Sequence, residues 1–458
     1  MRKTMTDKPD YTVYMKNLLA GESHGYMIKT FGCQMNESDS EKLAGVLESM
    51  GYVPVDDEGS CSIIIFNTCC VRESAEQKIF GHLGEMKKFK EQNNDLVIGL
   101  CGCMTQQKGI AERIKKSYHY ADLVFGSNSM HKLPELLYNR IVEKKRQFDV
   151  TEDWNVVEGT PILRGNSQKA YVPIMHGCDN FCSYCIVPYV RGREKSREPG
   201  EIINEIKELA GNGTREIMLL GQNVNSYQGG MGFSSLLNEI GRLKEVRRVR
   251  FMTSHPKDLG LDVLEAIAEN QNICNQLHLP LQSGSSRILK LMNRRYTKES
   301  YLEIIREARK LIPGIGLSTD IIVGFPGETD EDFLETLDVL EKARFDFAYT
   351  FIYSPRKGTP AASMKDTVPD NIKHQRFNRL LEVQNDITLE LNRRCIGSTE
   401  EILVEGTSKT NPGALTGRTE GNKIVNFHYD DKIKGDFAKV RIVDAGTWHL
   451  EGELIEWM

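Results

Sequence analysis

Residues 178–185 read CDNFCSYC: three cysteines at spacings of four and three, with Tyr184 just before the last. The run follows the apolar stretch AYVPIMHG (170–177), which places it in the turn at the carboxyl end of an expected strand. Five further strands are expected behind it: EIMLLGQ (216–222), RVRFMTS (248–254), QLHLPLQ (276–282), GLSTDIIVGF (316–325) and FAYTFIYS (347–354). Helical stretches such as PGEIINEIKELAGNG fit between them, with a proline near the start and a glycine at the end. Six strand–helix units are too few for a closed eight-unit barrel. The pattern therefore predicts an incompletely closed (β/α)6 barrel over 165–394, with functional groups at the carboxyl ends of its strands.

Three thiolates hold three irons of a four-iron cubane and leave the fourth iron open. The amino and carboxylate groups of an amino acid suit that open iron. S-adenosylmethionine bound in this way sets its sulfonium beside a one-electron source, and the cofactor then carries the difficult chemistry. By spacing alone, a zinc site or thiols sharing one helix face remain alternatives for Cys178, Cys182 and Cys185.

A second set of three cysteines lies upstream. Over 25–150 the pattern is strand then helix, three times, with strands YMIKTF (26–31), SIIIFNT (62–68) and LVIGLC (96–101). Such alternation predicts a parallel-sheet α/β domain. Ser38 is the expected N-cap of the first helix and Gly51 its stop. Each strand runs directly into a cysteine, Cys33, Cys69 or Cys103. Carboxyl ends of parallel strands share one edge, so cysteines far apart in sequence would meet there. Cys70 and Cys101 are alternatives to Cys69 and Cys103, which are preferred because each lies in a turn. Small apolar residues at strand ends are the competing explanation. Cys61, Cys274 and Cys395 read as ordinary small residues.

The last segment, 395–458, changes period: EILVEG, ALTGRT, KIVNFHY, FAKVRIVDAG and HLEGELIEW are short strands between glycine-rich turns. They predict a small antiparallel barrel. A polar connector (151–167) separates the first two segments. The composition is that of a soluble chain, 40% hydrophobic and 27% charged among 458 residues. No apolar run approaches the ~18 residues of a membrane span, and MRKTMTDKPDYTVY lacks the apolar core of a signal peptide. A cytoplasmic protein is expected. Its eleven cysteines then stay reduced, and metal ligation is a better default than a disulfide framework.

The segments TFGCQMNESDSE, FNTCCVRESA and GLCGCM resemble the N-terminal domain of the methylthiotransferases. HGCDNFCSYCIVPYVRGREKSR resembles their radical S-adenosylmethionine domain, and the C-terminal barrel resembles the RNA-binding TRAM domain. The resemblance covers all but the first twenty-odd residues and the connector. TFGCQMN, FMTSHPKD and LMNRRYT are most similar to the branch acting on isopentenyladenosine beside the tRNA anticodon. The branches acting on a ribosomal protein or on threonylcarbamoyladenosine tRNA are the alternatives. The resemblance implies two 4Fe-4S clusters, an auxiliary one on Cys33, Cys69 and Cys103 and a radical one on Cys178, Cys182 and Cys185. It also implies two S-adenosylmethionine molecules per turnover. One methylates a sulfur held on the auxiliary cluster, and the other is cleaved so that its radical removes hydrogen from carbon 2 of the base. Isopentenylated tRNA and an external electron donor are the implied partners, and a monomer is expected.

Polar residues at barrel strand ends are candidate S-adenosylmethionine contacts: Gln222, Asn225, Gln282, Ser283, Thr319 and Asp320, with Tyr184 against the adenine. Candidate RNA contacts are Arg191, Arg193, Lys195 and Arg197, directly after the cysteine run, and more weakly the basic stretch 287–310. The small barrel carries seven Lys/Arg against eleven Asp/Glu from 396 onward, so it has no broad phosphate-binding field. A local face with Lys409, Arg418, Lys423 and Phe427 is expected instead.

Overall fold

The computed structural model describes residues 9–458 apart from 71–72, 152–153, 155–156, 166–167, 410 and 430–434. Parts of the N-terminal stretch MRKTMTDKPDYTVY and of the connector noted above thus lie outside the described residues. The chain forms two compact units that interleave in sequence. The first takes residues up to 165 together with 176–179 and 186–195, and the second takes 166–175, 180–185 and 196–458. The boundary passes through the cysteine run, so Cys178 belongs to the first unit and Cys182 and Cys185 to the second.

The first unit is a six-stranded parallel sheet. Its strands are β1 (His24–Thr30), β2 (Tyr52–Pro54), β3 (Cys61–Thr68), β4 (Val97–Gly102), β5 (Leu123–Phe125) and β6 (Gln147–Asp149), ordered β2-β1-β3-β4-β5-β6. Central strands β3 and β4 read as nearly continuous apolar runs because helices cover both faces. Alternation along them sorts the side chains. Ile64, Phe66, Ile98 and Leu100 pack with Ile79, Leu83 and Met86, whereas Ile63, Ile65 and Val97 pack with Leu43, Leu47 and Leu137. Three of the six strands are only three residues long, too short to show a period, and the sequence reading missed them.

The first helix after β1 runs Gln34–Ser49, and its cap position is Cys33 rather than Ser38. The Cys33 carbonyl accepts from the Asn36 and Glu37 amides, so the turn after β1 passes straight into the helix. Ser38 is buried inside it. The connector is also less loose than its composition suggests: Leu163 donates its amide to the Glu41 carbonyl, and Arg164 pairs with Glu41 at 2.7 Å.

In the second unit the six expected strands appear, all parallel where they pair. Lys169–Pro173, Glu216–Leu220 and Arg248–Phe251 form one sheet; Gln276–His278, Gly316–Val323 and Phe347–Ile352 form another. A bridge from Val249 to Ile273 continues the run between them. The C-terminal strands, Thr399–Thr407, Ala414–Arg418, Ile424–His428, Phe437–Ala445 and Leu450–Trp457, close into a five-stranded barrel. Four of its pairs are antiparallel and one, Ile424–His428 with Leu450–Trp457, is parallel. Phe427, expected on an RNA-binding face, fills the barrel core with Ile402, Leu415, Val425 and Val440.

Two arginines of one strand fasten the small barrel to the larger one. Arg248 donates to the carbonyls of Glu401 and Arg418. Arg250, 1% exposed at its side chain, donates to Glu216 (2.7 Å), Gln276 (2.9 Å) and the carbonyls of Thr419 (2.7 Å) and Glu420 (2.6 Å). The Glu216 carboxyl is itself buried, and Arg250 and Lys169 hold it below the ordinary carboxylate range against the effect of burial. Arg250→Met leaves that carboxylate uncompensated and is expected to cost about 3–5 kcal/mol in chemical denaturation. Adding Glu216→Gln should recover part of the loss. An unchanged denaturation midpoint in Arg250→Met would contradict this account of the junction.

Candidate active site

In the first unit, Cys33, Cys69 and Cys103 each follow the carboxyl end of a neighbouring strand, β1, β3 and β4. Close backbone approach makes this possible. Gly32 has φ +129, and a Cβ there would lie 2.6 Å from the Cys69 Cβ. Gly102 has φ +96, and a Cβ there would lie 2.4 Å from the Thr68 carbonyl oxygen. Both positions exclude any larger residue. The side chain of Asn36 ties the turn together. Its amide nitrogen donates to the carbonyls of Phe31 (2.8 Å) and Thr68 (3.0 Å), and its Oδ1 accepts from the thiols of Cys33 (3.9 Å) and Cys103 (4.0 Å).

Arg191 completes this cluster. It is 5% exposed, and its Nε donates to Cys103 Sγ at 3.0 Å. Its Nη2 donates to Asn36 Oδ1 (2.9 Å) and Asp39 Oδ2 (2.8 Å). A hydrogen bond from Cys70, with the guanidinium of Arg191, pulls the Cys103 thiol below its ordinary range against burial. Thiolate is the form that binds iron, so Cys103 suits the role of a cluster ligand. Cys70 lies beside Cys103 in one buried cluster with Phe66 and Ile79, whereas Cys101 packs with Ile63 and Leu43 on the other face of the sheet. Among the described residues no three His, Cys, Asp or Glu side chains converge as ligands of a metal ion would. The three thiols share an edge rather than a point.

In the second unit, the Cys185 amide donates to the Cys182 carbonyl at 2.9 Å, closing a tight turn. Phe181 just before it has φ +44. Arg294, 8% exposed, donates from Nη1 to Cys182 Sγ at 3.5 Å and from Nη2 to the Pro280 carbonyl at 2.9 Å. Tyr184 packs against the cluster of Ile288, Met292, Phe325 and Tyr353. Burial pushes its hydroxyl well above the ordinary range.

The strand-end polar residues divide into two groups. Asn225 is 8% exposed, and neither its Oδ1 nor its Nδ2 has a hydrogen-bond partner among the described residues. Gln222 Oε1 and Ser254 Oγ are orphaned in the same way. An unpaired buried polar atom costs about 1–3 kcal/mol, so such a group beside an expected site fits a polar ligand. Thr253 has φ +71, a strained conformation for a β-branched residue, and its carbonyl accepts from the Val224 amide. Burial, followed by Arg294, Lys257 and Arg295, pushes the His255 imidazole down to about 2, so it is neutral at physiological pH. Ser254 and His255 were not singled out in the sequence, although FMTSHPKD was noted. Serine and histidine after a strand carry no spacing signal of their own.

Other candidates turn inward. Thr319 donates to the Leu279 carbonyl (2.9 Å) and accepts from the Leu281 amide (2.9 Å). Its hydroxyl thus donates and accepts within the barrel wall. Ser283, 1% exposed, accepts from the Ser285 amide, and Asp320 pairs with His278 at 3.6 Å. Gln282 is buried with φ +67, and its backbone bonds to Asp320 and Ile322.

Two of the four expected RNA contacts, Arg191 and Arg197, lie inward. Arg191 is enclosed, and Arg197 donates to the Pro173 carbonyl and to Glu205. Arg193 pairs with Asp179 but stays largely exposed, as does Lys195. Basic residues of the stretch 287–310 are held in ion pairs, such as Arg287–Asp332, Arg306–Glu303 and Lys310–Glu307. On the small barrel, Lys423 pairs with Asp346 and Arg418 with Glu405, while Lys409 is exposed.

Comparison with known proteins places the chain as a whole. Residues 172–340 match the Radical SAM superfamily, 393–455 the TRAM domain, and 25–126 the "Uncharacterized protein family UPF0004". A tRNA-2-methylthio-N(6)-dimethylallyladenosine synthase from Acetivibrio thermocellus is 52% identical over 447 residues, 96% of this chain and 93% of the relative. The protein of the same description from Alkaliphilus oremlandii is 50% identical, covering 95% of this chain and 94% of the relative. Among solved structures, the radical S-adenosylmethionine methyltransferase TsrM from Kitasatospora setae matches with TM-score 0.55 at 16% identity. The match covers 84% of this chain and 79% of that one, a likeness of fold alone. With half of all positions shared over nearly the full length of both chains, this chain belongs to the tRNA-2-methylthio-N(6)-dimethylallyladenosine synthase family within the radical S-adenosylmethionine superfamily.

Proposed function

We propose that this chain is a radical S-adenosylmethionine methyltransferring and sulfur-transferring enzyme that converts isopentenyladenosine beside the tRNA anticodon into its 2-methylthio derivative. The observation that carries the reading is the full-length identity of about half to synthases of that description, joined to two sets of three cysteines at strand ends. Cys33, Cys69 and Cys103 are assigned to an auxiliary 4Fe-4S cluster, and Cys178, Cys182 and Cys185 to a radical one. When bound, these groups supply a one-electron source for cleaving S-adenosylmethionine and an open iron on which sulfur can be carried.

The chain's own residues have separable tasks. Gly32 and Gly102 let three strand ends close on one edge, and Asn36 holds two of the thiols in register. Asn225, Gln222 and Ser254 offer unpaired amide and hydroxyl groups to the polar parts of S-adenosylmethionine. Arg193 and Lys195 remain as exposed cations for tRNA phosphates. A base must leave its stack to be modified, and an anticodon loop already presents unpaired bases. No helix among the described residues is long and apolar enough to cross a membrane. The domain division 25–150, 165–394 and 395–458, a monomeric state, an external electron donor and a cytoplasmic location complete the proposal.

Two measurements test it. Anaerobic reconstitution of the full chain should give about eight irons, and Cys178→Ala, Cys182→Ala and Cys185→Ala together should halve that figure. Saturation of the unaltered chain at four irons would remove one cluster from the account. A variant lacking Cys33, Cys69 and Cys103 should still release 5′-deoxyadenosine from S-adenosylmethionine but attach no methylthio group to tRNA. Methylthiolated tRNA from that variant would contradict the sulfur-carrying role.

A further inference from the structure

Arg191 stands thirteen residues after the first cysteine of the radical motif, yet it lies in the first unit against the other cysteine set. Its placement is unusual for a residue that reads as a surface cation. A short helix, Val187–Arg191, buries Val190 among Ile186, Ile110 and Ile114 and so carries the arginine inward. Gly192 next to it has φ +74, and a Cβ there would lie 2.4 Å from the Trp154 ring, so the chain turns sharply at this point. The guanidinium then has three acceptors: Cys103 Sγ at 3.0 Å, Asn36 Oδ1 at 2.9 Å and Asp39 Oδ2 at 2.8 Å.

Two explanations compete for such an arrangement. A purely structural ion pair needs only Asp39, itself 3% exposed, for its charge, and its remaining donors could be met by any neutral oxygen rather than by a sulfur. The planar fork instead divides its donors between a carboxylate, an amide oxygen and a thiol sulfur. The amide oxygen also accepts from Cys33 and Cys103, so two of the three acceptors, the sulfur and this oxygen, belong to the same cysteine site. Hydrogen bonds to cysteine sulfurs and net charge are the chief protein levers on the potential of an iron–sulfur cluster.

We infer that Arg191, anchored by Asp39 and Asn36, is a positioning residue for the auxiliary cluster: it orients the Cys103 sulfur by hydrogen bond and raises the cluster's reduction potential with a buried positive charge. This rests on the assignment of Cys33, Cys69 and Cys103 as ligands. Asp39 works in the opposite sense, because its carboxylate adds negative charge while it holds the guanidinium in place. The role differs from RNA binding, since a side chain this enclosed meets no phosphate.

The test uses the full chain carrying Cys178→Ala, Cys182→Ala and Cys185→Ala, in which only the auxiliary cluster can form. Its midpoint potential is read by redox titration with electron paramagnetic resonance. Arg191→Met should shift the potential to a more negative value with four irons retained. Arg191→Lys should fall between the two, because it keeps the charge but loses the fork. Asp39→Asn should shift the potential the other way, and it decides the matter if Arg191→Met fails to hold a cluster. Unmoved potentials in iron-loaded Arg191→Met, or in Asp39→Asn, would overturn the inference. Absence of any cluster from the triple-alanine parent would instead overturn the ligand assignment on which it rests.

Discussion

A buried guanidinium needs acceptors for its donors, and three of the buried arginines among the described residues meet that constraint where the architecture is decided. Arg250 satisfies it with Glu216, Gln276 and two carbonyls of the small barrel, and so fixes the C-terminal strands against the larger one. Arg294 satisfies it with Cys182, the Pro280 carbonyl and Tyr296. Arg191 does so with Cys103, Asn36 and Asp39. In each unit, then, a buried cation points at a cysteine sulfur of the proposed cluster sites. Removing such a cation leaves a buried partner uncompensated, which is costlier than losing a surface pair.

The site's other foundation is the parallel sheet. Because β1, β3 and β4 are neighbours running the same way, residues separated by more than thirty positions arrive at one edge. Packing on both faces keeps those strands rigid, and the two positive-φ glycines let the turns approach each other. The polar mouth of the larger barrel is built otherwise. There, strain at Thr253 and unpaired atoms on Asn225, Gln222 and Ser254 mark a place whose hydrogen bonding is incomplete among the described residues.

Much of the plan was legible in the sequence. Cysteine spacing in CDNFCSYC, the strand–helix alternation and the change of period after 395 each follow from local chemistry, and the strands they predict are present. What stayed hidden depends on tertiary contact. Arg191 and Arg294 read as solvent-facing because charge normally stays in water, and only their acceptors, distant in sequence, reverse that reading. Phe427 read as part of a local RNA-binding face, yet its alternation within Ile424–His428 directs it to the barrel core. Thr319 lies where a ligand contact was expected, but two backbone groups reach its hydroxyl first. Nothing in the spacing of the radical motif shows that Cys178 and its two partners divide between separate compact units.

The central claim is the reaction on tRNA. The chain, reconstituted anaerobically, should be incubated with isopentenylated tRNA, S-adenosylmethionine and a low-potential reductant, and the tRNA digested to nucleosides for mass spectrometry. The account predicts loss of isopentenyladenosine and gain of a nucleoside heavier by one methylthio group in place of a hydrogen. Recovery of unmodified isopentenyladenosine from an enzyme with both clusters loaded and S-adenosylmethionine cleaved would contradict it.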